Sequence, residues 1–137
     1  GLVIRYSYLW QSEFMRGQEE GLKDRPCAII LSTTQEDGRD IVTVLPITHS
    51  PQIDGQTTEE IPAEVNKRLG LDSDRSWIVL NEINRFVWPG PDLRRATNKD
   101  PGSVAYGYLP RTYFIKLRTK FVMLAKARRI KIVQRTE

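Results

Sequence analysis

The chain has 137 residues, 39% of them hydrophobic and 28% charged, with one cysteine, one histidine and a net charge of +4. This length suits one domain spanning residues 1–137, and no apolar run approaches the ~20 residues of a membrane-spanning helix. A single Cys and a single His exclude an internal disulfide and argue against a protein-built zinc site, so no metal or cofactor is expected.

Residues 2–10 (LVIRYSYLW) read as a strand, with Leu2, Ile4 and Tyr6 on one face and Val3, Arg5 and Ser7 on the other. Residues 11–24 have no sustained period and contain Gly17 and Gly21, so they read as a long loop; a short helix over residues 11–15 is the alternative. Residues 25–50 are the informative stretch. Two apolar runs, 27–31 and 41–45, flank a turn containing Glu36, Asp37 and Gly38, which argues for a hairpin. In an antiparallel pair the start of one strand lies beside the end of the other. Arg25 at one outer end should therefore meet Thr48, His49 and Ser50 at the other.

Residues 51–59 read as a loop. Residues 60–69 read as a helix, with Pro62 in its first turn, Ile61, Val65 and Leu69 spaced by four, and Gly70 as its stop. Residues 77–87 (WIVLNEINRFV) read as one strand bent near Asn84, ended by the prolines after Trp88. Residues 94–108 are loop-like. The longest helix is expected over residues 111–128, its core stripe being Phe114, Leu117, Phe121 and Leu124. Residues 130–133 (IKIV) read as a closing strand. This order fits an α+β, β-rich domain: a strongly curved antiparallel sheet, barrel-like, with a short helix and a longer C-terminal one.

Charge is uneven. Residues 111–137 carry nine Lys or Arg against one acid, whereas residues 1–110 carry twelve against sixteen. Such a basic end suits phosphates, an acidic partner or plain solvation, with Arg128, Arg129, Lys131 and Arg135 as the gripping candidates.

Several pieces, in order, resemble the MazF/PemK (Kid-like) toxins of bacterial toxin–antitoxin systems. Gly1-Leu2-Val3-Ile4 is similar to the family's opening "GDIVW" strand. Gln18-Glu19-Glu20-Gly21 before Arg25-Pro26 is similar to its "H/S-E-Q-x-G-x-R-P" loop. Val44-Leu45-Pro46-Ile47-Thr48 matches "VxPxT", and Asn81-Glu82-Ile83-Asn84-Arg85 stands where the family has "D-Q-x-R". The resemblance implies an SH3-like barrel, a homodimer and an acidic antitoxin partner; the lone cysteine and the lack of a long apolar run lead to the expectation of a cytoplasmic location. It implies a metal-independent endoribonuclease that cleaves single-stranded RNA by attack of the 2′-OH on its own phosphate.

By the same resemblance Arg25 is the catalytic arginine, Thr48 a hydrogen-bond donor to the phosphate and Glu20 a base or an orienter of Arg25. Glu82 and Arg85 match site residues of the later strand; Lys23, His49 and Ser50 join them as substrate-binding candidates. Glu19 stands where some members have a loop histidine, and Leu80 where some have a catalytic arginine. Residues 88–95 and 129–137 have no counterpart in the family core. For each residue an ordinary structural role competes. Arg25 would pair with Asp24 or Glu20, His49 would be a surface residue, Glu82 and Arg85 would pair with each other, and Cys27 would be an inert core thiol. Two other functions stay open: a non-catalytic binding module on the same barrel, and a CcdB-like gyrase poison.

Overall fold

The computed structural model describes residues 1–17, 24–50, 57–71, 75–96 and 103–135. It is α+β and strand-rich. Along the chain come β1 (Leu2–Tyr6), α1 (Gln11–Met15), β2 (Arg25–Thr34), β3 (Asp40–Thr48), β4 (Thr58–Glu60), α2 (Ala63–Leu69), β5 (Trp77–Val79), β6 (Glu82–Trp88), β7 (Leu93–Arg94), β8 (Ala105–Tyr108), α3 (Arg111–Lys126) and β9 (Lys131–Gln134).

The expected hairpin is the backbone of the sheet. β2 and β3 pair from Cys27↔Pro46 to Thr34↔Asp40. Their turn closes through Gly38 N–H donating to Gln35 O at 2.9 Å, with Gly38 at φ 87°, a backbone state only glycine adopts without strain. β1 adds antiparallel to β2 on one side, with β7 and β8 beyond it. On the other side β3 pairs first with β6 and then, past Pro46, with β5, whose other edge carries β4. The expected single strand over residues 77–87 is therefore two. Both pieces follow β3 antiparallel, but residues 80–83 leave it. Leu80 N–H turns to Thr57 O at 2.7 Å, and Glu82 and Ile83 pair with β9 instead.

That last ladder, β6 with β9, is parallel, and it departs from the antiparallel rule of the others. The strand path ends at β4 and β7, and among the described residues no ladder joins them, so closure into a barrel is not seen. Among the described residues no helix is long and apolar enough to cross a membrane.

Strand alternation sorts the interior into two layers. Val3, Ala28, Leu45, Ile47, Leu80 and Ile83 face α2 and α3, meeting Leu69, Tyr113, Leu117 and Leu124. Phe114 and Phe121 border this core rather than fill it; Tyr113 takes a buried place and donates its hydroxyl to Glu60 O at 2.9 Å. α2 keeps its expected glycine stop, Gly70 at φ 72°. The opposite face carries Ile4, Tyr6, Tyr8, Cys27, Val42, Val44 and Phe86, with Trp10 and Trp88 packed against them. Tyr6 and Phe86 stack there at 4.5 Å. The faces assigned to residues 2–6 from sequence are those observed. The strand itself ends at Tyr6, because Ser7 N–H leaves for Asp92 O at 2.8 Å and the chain turns into α1.

Candidate functional site

The corner expected from the hairpin exists. The β2–β3 ladder at Cys27↔Pro46, extended by two residues, sets Thr48 opposite Arg25. Arg25 Nη1 donates to Ile47 O at 3.3 Å, so the guanidinium lies across the end of β3. Its plane sits over the Trp10 ring, 4.9 Å from the centroid. Its Nε is buried without a hydrogen-bond partner. Asp24, the neighbour expected to neutralise it, instead faces Arg94 at 3.6 Å and Arg5 at 4.0 Å. Burial lowers the Arg25 pKa, while Glu13, Tyr8 and Glu82 pull it back up. A guanidinium stays charged through such a shift. The result is a half-buried cation with unused donors.

Thr48 is buried, and its Oγ1 accepts the Ser50 N–H at 3.2 Å, which shapes the exit of β3. Its hydroxyl hydrogen remains available for donation. Glu82 is buried on the same face as Arg25. Its Oε2 accepts the Tyr8 hydroxyl and the Gln11 N–H, both at 3.1 Å. Burial raises its pKa against those two bonds. The same burial, with Glu82 beside it, pushes Tyr8 well above the usual phenol value. Glu13 Oε1 accepts the Trp10 N–H at 3.0 Å. Two carboxylates thus hold the start of α1, and with it the Trp10 ring under Arg25.

The Glu82–Arg85 ion pair expected from sequence is absent. The two residues are an odd step apart on a strand and face opposite sides. Arg85 contributes its carbonyl, which accepts Arg135 N–H at 2.9 Å and Gln134 Nε2 at 3.2 Å. Arg85 is not brought to the Arg25 corner. Leu80, in the slot of the family's arginine, is fully buried in the helix-side core. Cys27 is a buried free thiol whose pKa burial raises. Trp88 packs 6.2 Å from Phe86 rather than standing exposed. Glu20 and Lys23 lie outside the described residues.

Beside Arg25 is a pocket of about 210 Å³ lined by Arg5, Asp24, Arg25, Pro26, Ile47, His49 and Tyr106. His49 is exposed, as expected of a surface histidine, yet it lines this pocket together with Arg25. Arg5 is the residue that sequence reading missed. Its position on β1 opposite Pro26 brings it there, and that pairing was recoverable only from the β1–β2 register. Among the described residues no three His, Cys, Asp or Glu side chains cluster closely enough to hold a metal ion.

Arg135 is the largest correction. Its expected place was a basic surface. It is instead buried, with Nη2 on Asp92 Oδ2 at 2.8 Å and Nη1 on Ser7 O at 2.8 Å and Asn84 Oδ1 at 3.0 Å. Asn84 in turn exchanges two bonds with the Leu9 backbone, at 2.8 and 2.9 Å. Compared with protein-family models, curated proteins and solved structures, the chain gives no match.

Proposed function

We propose that the protein is an endoribonuclease toxin of the MazF/PemK kind, cutting single-stranded RNA by transesterification without a metal. The observation that supports this most is Arg25. It is a half-buried guanidinium with an unpartnered Nε, stacked on Trp10, opposite Thr48 and bordering an open pocket.

In the reaction, the RNA 2′-oxygen bonds to the adjacent phosphorus and the P–O5′ bond breaks. The products are a 2′,3′-cyclic phosphate and a 5′-hydroxyl. The proton lost from the 2′-OH goes to a base, and the leaving 5′-oxygen gains one. Charge builds on the non-bridging oxygens, where preorganised donors act most strongly. Arg25 supplies a cationic fork to those oxygens and Thr48 a hydroxyl donor. Glu20 is the base in this reading. The barrel, the homodimer, the acidic antitoxin and the cytoplasmic location belong to the same proposal.

A binding module that lacks chemistry is the second reading. It is favoured by the carboxylates Glu13 and Glu82, both of which spend an oxygen on backbone N–H groups rather than on Arg25. One experiment separates the two. Single-stranded RNA incubated with the protein in EDTA yields fragments ending in cyclic phosphate if the first reading holds, and Arg25→Ala abolishes them. Intact RNA that is nonetheless retained by the protein in a salt-dependent way establishes the second.

A further inference from the structure

The pocket beside Arg25 is lined by two arginines, Arg5 and Arg25. Arg5 reaches Asp24 Oδ2 only at 4.0 Å and Arg95 O only at 3.5 Å, and its side chain is 40% exposed. Arg25 makes one bond of 3.3 Å, to Ile47 O, and leaves Nε unpartnered. Each guanidinium presents five N–H donors. Among the described residues the one carboxylate lining the pocket, Asp24, also faces Arg94, which lies outside the lining, at 3.6 Å. His49, just past the end of β3, also lines the pocket. Among the described residues two guanidinium groups and one carboxylate line this site, which is open to solvent, about 210 Å³ in volume and net positive. Guanidinium forks match the oxygens of a phosphate better than those of a neutral ligand.

We propose that this pocket is a phosphate-ester subsite, with Arg5 as its anchor, that holds an RNA phosphate neighbouring the one acted on at Arg25. Naming RNA as the source rests on the ribonuclease reading; the phosphate-ester chemistry rests on the pocket alone. Arg5 is a binding residue here. It lies outside the transesterification machinery, and its loss acts on substrate affinity.

Asp24 gives the proposal a signed test. The Asp24 carboxylate competes with a phosphate for Arg5, so removing it should tighten binding, whereas removing Arg5 should weaken it. A merely structural Arg5–Asp24 pair would make both losses harmful. The chain has one histidine, so the imidazole proton signals in NMR report this pocket without ambiguity. Titration of the full chain with adenosine 3′-monophosphate, which the enzyme cannot cleave, should move those signals saturably. Arg5→Gln should weaken binding about tenfold, the scale of one lost charge-assisted bond. Asp24→Asn should tighten it several-fold. Arg5→Lys should keep part of the affinity and serve as the folding control, and Lys126→Gln on α3 should change nothing.

No saturable shift, or a shift indifferent to Arg5→Gln, overturns the proposal. Equal or tighter binding of inorganic phosphate overturns the ester assignment. RNA cleavage in EDTA is scored separately. Cleavage without nucleotide binding at His49 sinks the subsite and spares the ribonuclease, and binding without cleavage does the reverse.

Discussion

Two arginines sit on the aromatic face of the sheet, each stacked on a ring, and they differ in what completes them. Arg135 lies over Tyr6 at 5.3 Å and bonds Asp92, Ser7 O and Asn84. Arg25 lies over Trp10 at 4.9 Å and bonds Ile47 O, with Nε buried and unpartnered. Burying a cation is costly unless a carboxylate and hydrogen bonds answer it. Arg135 meets that condition, so its charge ties the C-terminal strand into β1, β6 and the residue 92 turn. Arg25 does not meet it. Its nearest acids serve α1, and the residue borders a pocket. A cation left incomplete at a sheet corner is a candidate for work on an anion, and a completed one is a strut.

The largest expected effect tests the strut. Arg135→Met leaves Asp92 buried without its partner and should cost about 3–5 kcal/mol of stability by denaturant unfolding. Adding Asp92→Leu should recover part of the loss, because the stranded charge goes too. If Arg135→Met unfolds at the wild-type midpoint, the distinction between the two arginines collapses. Next comes Arg25→Met, which should cost much less, since Glu13 and Glu82 act on Arg25 through space and keep their own hydrogen bonds without it. RNA cleavage should nevertheless fall by about 10²–10³-fold, the scale of one lost transition-state donor. A large stability loss in Arg25→Met would place Arg25 with the struts.

Sequence reading found the corner and missed the strut, and distance along the chain explains both. Arg25 and Thr48 belong to one hairpin, and the period-two pattern with a Gly38 turn sets their register locally. The faces of β1, the glycine stop of α2 and much of the α3 stripe were likewise local patterns. Arg135 meets Asp92 across 43 residues and Ser7 across 128. No spacing rule announces such a pair, so a charge in a basic tail read as surface. Glu82 meets Tyr8 across 74 residues, and its expected partner Arg85 was merely the nearest opposite charge. The break at residues 80–83 lies inside a run, WIVLNEINRFV, where Leu80 and Ile83 keep apolar residues on either side of Asn81 and Glu82. β4 is three residues of polar sequence recruited by pairing with β5; α1 has five residues, too few for a helical period to register, so the helix over residues 11–15 stood only as the alternative to a loop.

A smaller effect concerns Glu82, one of the two acids that hold α1. Its folded pKa is raised, burial being the main cause. The folded chain therefore binds that proton more tightly than the unfolded chain. On this account stability falls as pH rises from the ordinary glutamate value through the raised one. Glu82→Gln keeps an acceptor for Tyr8 and removes the titration. It should raise the thermal midpoint at neutral pH, and the gain should vanish below the ordinary glutamate range. Glu59 should show the opposite sign. Burial opposes its ionisation, but Lys116 and Lys120, each at 2.6 Å, hold its pKa below the usual value. Its contribution is present above that value and is lost as pH falls through the lowered one. Glu59→Gln should cost about 1 kcal/mol at neutral pH and little in acid.

The smallest effect is the most specific to the comparison. Trp10 supports Arg25 as Tyr6 supports Arg135, but the two rings are held differently. Tyr6 is fully buried and stacked on Phe86, so its loss should act on stability. Trp10 is half-buried, edge-on to Tyr8 at 5.1 Å, and its face carries the guanidinium. A cation–π contact at such a site contributes about 0.5–1 kcal/mol. Trp10→Leu should therefore lower kcat/KM for RNA about two- to fivefold, with Trp10→Phe falling between. The unfolding midpoint should move less than in Tyr6→Leu. If Trp10→Leu leaves cleavage untouched while Arg25→Ala abolishes it, Arg25 is positioned by its bond to Ile47 O alone, and the likeness between the two stacked arginines is only one of shape.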